Sequence, residues 1–365
     1  MRRLIPLALL LGASTLPAQS FWDSSIRTGP QFHSYTLKAP LNEKISELAV
    51  PFFVIMPVMP RLTLDVGTAF ALVQHERTTL DATGNRTTTK SELSGITDTQ
   101  IRANYAFGQD FVVVTAGLNL PTGSATVEPS ELEAATRIGS DFLTFPISGF
   151  GSGFGMTGGV AIAQPMGAWN VGFGASMRQS SEYEPFRDAS GTALKFTPGP
   201  EYRARLGLDH PYGTGRMSFG LTFSKFGDDK ANVTSYNTGD RYVAQFAMNN
   251  SLGESEVDYS FVLWNLYRTS GTQIDQSPSP SGNITNATMS FGIRAPGDIG
   301  VEPSIETRVW TEQKATASFL GTLGMRLYID RGRWAIVPGA GFSIGTMQSA
   351  TLSGFKATLG MRFGG

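Results

Sequence analysis

Period-two alternation runs through this chain almost from end to end, and nothing else constrains its fold as tightly. In the last stretch, Phe355, Ala357, Leu359, Met361 and Phe363 alternate with Lys356, Thr358, Gly360 and Arg362. Successive side chains of an extended chain point to opposite faces, so this stretch is a strand with one apolar and one polar side. Val112, Val114, Ala116, Leu118 and Leu120 stand in the same way against Thr115, Gly117 and Asn119. Tyr202, Ala204, Leu206 and Leu208 stand against Arg203, Arg205 and Asp209. No segment reaches the roughly 18 consecutive apolar residues of a membrane-crossing helix. The chain reads as all-β.

Two architectures alternate in this way. A soluble sandwich or barrel turns its apolar face inward and covers its outside with Lys and Glu. Here 16% of residues are charged and 42 of 365 are Gly. The polar faces carry Gly, Ser, Thr and Asn with scattered Arg and acids, which suits a lumen better than a solvated exterior. The connections also sort by length. Met59–Arg61, Met166–Ala168, Tyr212–Gly215 and Asp330–Arg333 are tight, whereas Thr78–Ser91, Thr122–Gly151, Pro185–Thr197, Gly227–Gly239 and Gly271–Asn283 are long and polar. Short turns at one end and long loops at the other mark an outer-membrane barrel. Such a sheet must close, because lipid cannot satisfy a free strand edge.

The spacing therefore predicts a transmembrane antiparallel β-barrel of about 16 strands, with short periplasmic turns and long extracellular loops. Pro40, Pro51 and Pro57 disturb the pattern near the expected first strand at 30–38. If Gln31–Leu37 is instead a periplasmic arm or small plug, the count falls to about 14. The expected organisation is a signal peptide at 1–20, an N-terminal arm and first strand within 21–44, and a barrel over 45–365 with its long extracellular loop at 122–151. The signal peptide is read from Arg2 and Arg3, the apolar Leu4–Ala13 and the small residues of Ala18-Gln19-Ser20. That layout is a secretory address, so the expected location is the cell outer membrane. Trp169, Tyr212, Phe219, Tyr328, Trp334 and Phe363 fall where interfacial girdles are expected.

Composition removes much enzyme chemistry. With no Cys, three His and a formal charge of −1, the chain has no thiol nucleophile, no cysteine metal site and no basic field for nucleic acid. Cofactors, metals and catalytic residues are not expected. His75 beside Glu76 and the pair Asp209-His210 are the nearest approach to acid–base groups. Both lack a nucleophile's context and read as rim or interface residues. The expected partners are outer-membrane lipid, small apolar solutes and the barrel-assembly machinery.

One run of residues carries a family likeness. Ser94-Gly95-Ile96-Thr97-Asp98-Thr99-Gln100-Ile101-Arg102-Ala103-Asn104-Tyr105 is followed by Leu118-Asn119-Leu120-Pro121-Thr122-Gly123. This resembles the outer-membrane proteins grouped with the meta-pathway of phenol degradation, whose strands read Gly-x-x-Asp and then Leu-Pro-Thr-Gly. The resemblance extends over about residues 30–365 and implies a barrel that passes aromatic or other apolar compounds. The chain lacks the Asn-Pro-Ala hatch motif of long-chain fatty-acid transporters.

Two groups of residues carry the functional expectation. The loop at 122–151 is acidic at first (Glu128, Glu131, Glu133), with a helix expected over Ser130–Ile138 capped by Ser130. It then becomes aromatic, with Phe142, Phe145, Phe150 and Phe154 around Pro146 and Gly149. Such residues either pack on the loop's own rim or form a lid or inward constriction for an apolar substrate. Inside the barrel, Arg102, Arg203, Arg205, Asp258, Glu306 and Arg308 belong to a set of seven Arg and seven acids on the polar faces. They form either a ladder of ion pairs or a polar track for solutes. Acids on neighbouring strands (Asp209, Glu256 or Asp258) are the expected partners of Arg203 and Arg205. The function expected is passive uptake of small hydrophobic or aromatic compounds. A general diffusion porin and a plugged structural barrel are the alternatives.

Overall fold

In the computed structural model the sheet closes on itself. The structure describes residues 24–364 apart from 81–82, 109–110, 253–256, 296–298 and 314. The expected signal peptide and Glu256 lie outside the described residues. Sixteen antiparallel strands form the wall. β1 is Ser25–Thr28 continued by Gln31–Leu37; β2 is Glu43–Met59; β3 is Leu62–Leu80; β4 is Arg86–Ile96 continued by Thr99–Phe107. β5 (Val112–Leu120), β6 (Gly155–Met166), β7 (Trp169–Ser180), β8 (Glu201–Tyr212), β9 (Gly215–Phe226) and β10 (Arg241–Ser251) follow. β11 (Val257–Arg268), β12 (Gly282–Ala295), β13 (Ile299–Glu312), β14 (Ser318–Asp330), β15 (Trp334–Met347) and β16 (Ala350–Gly364) complete the circuit.

β1 is a wall strand, not a plug, which fixes the count at sixteen instead of fourteen. It pairs with β16 from Ser25↔Gly364 to Leu37↔Leu352 and with β2 from Ser25↔Ile55 to Leu37↔Glu43. The interruption at Gly29-Pro30 costs no register. Thr28↔Met361 and Gln31↔Thr358 lie on one diagonal, and the Pro30 carbonyl accepts the Leu359 N–H at 2.9 Å. Gly29 is obligatory there: its φ is 141°, and a Cβ would stand 1.8 Å from the Leu359 oxygen. Pro51 faces the same gap, since Thr28 pairs with Phe52 and Gln31 with Ala49. Its missing N–H therefore breaks no ladder bond.

The lipid face is the alternating apolar set, with Phe173, Leu323, Phe342, Ile344 and Phe355 among the exposed large residues. Trp169, Tyr212, Trp334 and Phe363 are exposed near the short-turn end, as a girdle requires. Tyr328 departs from that expectation. It shares a face with Leu320, Thr322 and Arg326 and points into the lumen. Phe219 sits in mid-strand rather than at a rim.

Where long loops were expected, more of the chain is paired. β3 and β4 continue upward to Leu80↔Arg86, because the Thr-rich run on both sides is β-branched and favours a ribbon. Tyr183–Arg187, Ala193–Thr197, Asp229–Ala231 and Thr234–Tyr236 form a separate four-stranded sheet above β7–β10.

Candidate functional site: the inward loop and the lumen beneath it

The chain between β5 and β6 turns into the barrel, and one carboxylate holds its neck. β4 bulges at Thr97 and Asp98, where pairing with β3 passes from Phe70↔Ile96 to Gly67↔Gln100. The Thr97 hydroxyl accepts the Ala69 N–H at 2.9 Å and mends the ladder. The bulge re-aims Asp98 inward, as bulges do. Its Oδ1 accepts the Gly123 N–H at 3.1 Å, and its Oδ2 accepts the Ser152 N–H at 2.8 Å and Asn119 Nδ2 at 2.8 Å. Its own N–H donates to the Phe150 carbonyl at 2.9 Å. A Cβ on Gly123 would stand 2.1 Å from that carbonyl oxygen, so the two ends of the loop meet backbone to backbone. The Gly-x-x-Asp and Leu-Pro-Thr-Gly motifs are thus the two halves of this clamp.

Beyond the neck, helix α1 (Leu132–Ile138) lies on the inner wall of β3 and β4. It has no side-chain cap of its own, and Glu131, not Ser130, stands at the N-cap. The wall supplies the polar partner instead. Ser91 Oγ donates to the Ser130 carbonyl at 2.6 Å and accepts the Ala134 N–H at 3.3 Å. Arg137 reaches the buried Glu43 at 2.7 Å. His75 lies between Glu43 at 3.5 Å and Glu133 at 3.4 Å. His75 is therefore part of the loop–wall joint, with no nucleophile beside it.

The aromatic half of the loop then buries itself. Phe142, Phe145 and Phe150 are 1%, 7% and 4% exposed, packed with Tyr35, Ile45, Val73, Leu320 and Leu352 of the wall. Full burial of one Phe is worth about 1.5–3 kcal/mol, which favours the inward position of the loop. Polar contacts fix its height: Tyr35 OH donates to the Leu143 carbonyl at 3.0 Å, and Ile147 N–H donates to Glu47 Oε1 at 2.9 Å. Arg308 Nη1 donates to the Phe142 carbonyl and to Thr144 Oγ1, each at 2.6 Å. Phe154 does not join them. It is 39% exposed and in step with the lipid-facing Met156 and Val160, because it stands immediately before β6 and already follows that strand's alternation.

The polar residues divide between two environments. Arg308 pairs with Glu306, which also takes Lys356 at 3.7 Å and Asn286 at 2.8 Å. This network is sealed beneath the loop, and the Arg308 side chain is 4% exposed, against 35% for Arg203 on β8. Arg203 pairs with Glu201 of its own strand at 2.5 Å rather than with an acid on a neighbouring strand. Asp209 is engaged by Arg216 and Asn170, and Asp258 accepts Ser251 Oγ at 2.6 Å. His210 points outward onto Trp169, with ring centroids 4.5 Å apart. Asp209 and His210 thus lie on opposite faces and form no dyad.

The lumen also has an apolar side that alternation alone hid. One cross-strand row runs Thr222↔Val243↔Leu266↔Ile284↔Trp310 across β9–β13, all facing inward. It ends against the loop, where the Trp310 and Phe142 rings are 6.1 Å apart. Trp264 and Val262 continue this face on β11. Across the lumen, the Phe53 ring lies on Gly67, where a Cβ would come within 2.7 Å of it, and stays 50% exposed. The signal was present in β10 and β11, whose apolar residues occupy both faces instead of one.

No family model matches the sequence, and no curated protein matches it either. Solved structures do. OprB of Pseudomonas putida aligns over 95% of this chain and 99% of its own, at 7% identity with a TM-score of 0.51. An outer membrane channel from Pseudomonas putida F1 aligns over 95% and 97% at 12% identity, TM-score 0.42. The CymD monoaromatic hydrocarbon channel aligns over 94% and 89% at 10% identity, TM-score 0.43. Closed wall and shared fold define the class: an outer-membrane β-barrel of porin-like build.

Proposed function

We propose that the protein is an outer-membrane channel for passive uptake of small hydrophobic or aromatic compounds. The observation that carries this reading is the contact of Phe142 with Trp310. It joins the buried aromatic underside of the loop to the inner-face row of Ile284, Leu266 and Val243. An apolar solute leaving the loop meets apolar side chains down one wall, while water and ions meet the sealed Glu306–Arg308 network. Phe142, Phe145 and Phe150 act as the lid, and Arg203 and Arg205 line the wetter half. No covalent step is involved. An N-terminal signal and the barrel-assembly machinery deliver the chain, and lipid surrounds it.

Deleting about Ala125–Pro146 in a reconstituted bilayer tests the reading. The expected result is a rise in ion conductance, with polar solutes admitted and apolar uptake no longer saturating. A barrel still closed after the deletion is a structural plug. A conductance already large and unchanged belongs to a general porin. Either outcome defeats the proposal.

A further inference from the structure

The seam that closes the barrel sets two like charges side by side at its short-turn end. Arg27 of β1 and Arg362 of β16 are direct cross-strand partners on the inward face. Such partners stand with their Cβ atoms about 4.5–5.5 Å apart, and like charges so placed repel. Asp330, at the end of β14, takes Arg362 Nη2 at 3.1 Å and is itself 55% exposed. Arg27 makes no ion-pair contact among the described residues. Two guanidiniums thus share one solvated carboxylate. A comparable pair at the loop end, Arg241↔Arg268, is better provided for. Glu312 and the Pro280 carbonyl engage Arg268, and Arg241 lies over the Phe226 ring.

Three donors at the seam lack acceptors. Arg27 Nε, Arg362 Nε and Ser25 Oγ are buried and have no hydrogen-bond partner among the described residues. Ser25 is 3% exposed and stands two residues before Arg27, on the same inward face. A buried donor left unpaired is costly, and three of them on one patch of wall call for an acceptor with more than one oxygen. The wall around them is low: Gly364 lies opposite Ser25, and Ala335 opposite Arg362. On the other side of Arg27 its cross-strand partner is Phe53 of β2, whose exposed ring lies on Gly67.

We infer that Ser25, Arg27 and Arg362 form a carboxylate-binding site at the short-turn mouth of the lumen, and that its ligand is a small aromatic carboxylate. The carboxylate supplies acceptors to both guanidinium forks, whose planar geometry it matches, and to the Ser25 hydroxyl. The ring of the ligand lies against Phe53. Asp330 competes for Arg362 and keeps the hold loose enough for release. This deepens the uptake reading and rests on it for the solute's path, but binding is measurable without transport.

The test uses the full chain in detergent, with benzoate, benzyl alcohol and inorganic phosphate as probes. Binding is followed by calorimetry, and flux of benzoate and benzyl alcohol is followed in liposomes. Benzoate is expected to bind about tenfold tighter than either of the others, with Arg27→Gln and Arg362→Gln each removing about tenfold of its affinity. Benzyl alcohol binding stays unchanged in both. The two losses are expected to fall short of additive in the double variant, because one carboxylate meets both side chains. Phe53→Ala weakens benzoate and benzyl alcohol alike and leaves phosphate as it was. Arg27→Lys, which keeps the charge and loses the fork, is expected to fall between the wild type and Arg27→Gln, and it serves if the Gln variant fails to fold. No benzoate binding, equal binding of benzoate and benzyl alcohol, benzoate affinity unchanged by Arg27→Gln, or fully additive losses overturns the site. Phosphate held as tightly as benzoate, or benzoate binding indifferent to Phe53→Ala, overturns the aromatic class of ligand. Benzoate bound while neither probe crosses leaves the site standing and ends the uptake reading. Benzyl alcohol crossing in a protein that does not bind benzoate does the reverse.

Discussion

Asp98 and Gly123 hold the neck of the inward loop together, carboxylate oxygen to backbone N–H at 3.1 Å, while Ser152 N–H reaches the same carboxylate at 2.8 Å. The first residue lies on a bulge of β4 and the others at the two ends of the loop. One side chain therefore ties both ends of a loop of more than twenty-five residues to the wall. Asp98→Ala leaves the Gly123 and Ser152 N–H groups without their acceptor, at about 1–3 kcal/mol for each buried group left unpaired, while Asn119 Nδ2 keeps the Gly153 carbonyl at 2.7 Å. The wall strands lose nothing. The expected outcome is a loop newly open to protease between residues 123 and 152 in a barrel that still migrates as folded. A loop as resistant as the wild type's would show that the aromatic packing holds it unaided.

Arg308 and Arg205 face the same lumen and are expected to behave oppositely when removed. Arg308 is buried beneath the loop, paired with Glu306 and bonded to the Phe142 carbonyl. Breaking one side of such a buried pair costs about 3–5 kcal/mol. Arg205 makes no ion-pair contact among the described residues and feels the charges of Arg203, Arg102 and Glu201 together, so Arg205→Met is expected to move stability by no more than about 0.5 kcal/mol. Urea unfolding midpoints of Arg308→Met and Arg205→Met compare the two directly. Equal shifts would mean that the lumen is packed uniformly and that the division into sealed and wet halves is wrong.

Much of this barrel was legible because its wall obeys one rule. Phe355, Leu359 and Phe363 face lipid and Lys356 and Arg362 face inward, as alternation demands, and the same holds for β5 and β8. What alternation cannot show is how inward residues find each other. Arg203 takes Glu201 from its own strand, a choice set by rotamers and local space. The bulge at Thr97-Asp98 adds one residue to β4, which slips the phase of the pattern without leaving a distinctive composition. The apolar row on β10–β13 was hidden for a different reason. Tyr242-Val243-Ala244 and Phe261-Val262-Leu263-Trp264 carry apolar side chains on both faces, so the lipid-facing set masked the lumen-facing one. Phe154 was misgrouped with the loop because nothing local marks where β6 begins, and one residue's shift turns a side chain from lumen to lipid.

The sidedness of the barrel is testable at two glycines. Gly84, in the turn above β3 and β4, has φ of 84° and open space around it, and Gly167, between β6 and β7, has φ of 65° and open space as well. Neither turn carries the wall, so a short epitope inserted at either position is expected to leave folding intact. The epitope at Gly84 should be labelled on intact cells, and the one at Gly167 only after the outer membrane is permeabilised. Labelling with the opposite preference inverts the barrel and places the loop's neck on the periplasmic side.

Trp264 separates a lumen that guides apolar solutes from one that only drains. It stands inward on β11, one pair below Leu266, opposite Gln245 of β10 and Asn286 of β12. It is partly exposed and is not a member of the loop's buried core. Its removal therefore leaves the lid and the sealed ion pairs as they are. A large indole on a partly exposed wall adds little to stability unless something packs against it, and in a channel that something is the solute. Trp264→Ala is expected to raise the half-saturation concentration for an apolar probe about tenfold, the loss of one well-packed aromatic contact. Ion conductance should rise slightly, because the lumen widens without opening the loop. Trp264→Phe keeps an apolar face and should restore most of the affinity. If the alanine variant takes up the probe with unchanged saturation, the row from Val243 to Trp310 is not on the solute's path. Uptake would then have to follow the Phe53 side of the lumen, where the exposed ring lies on Gly67.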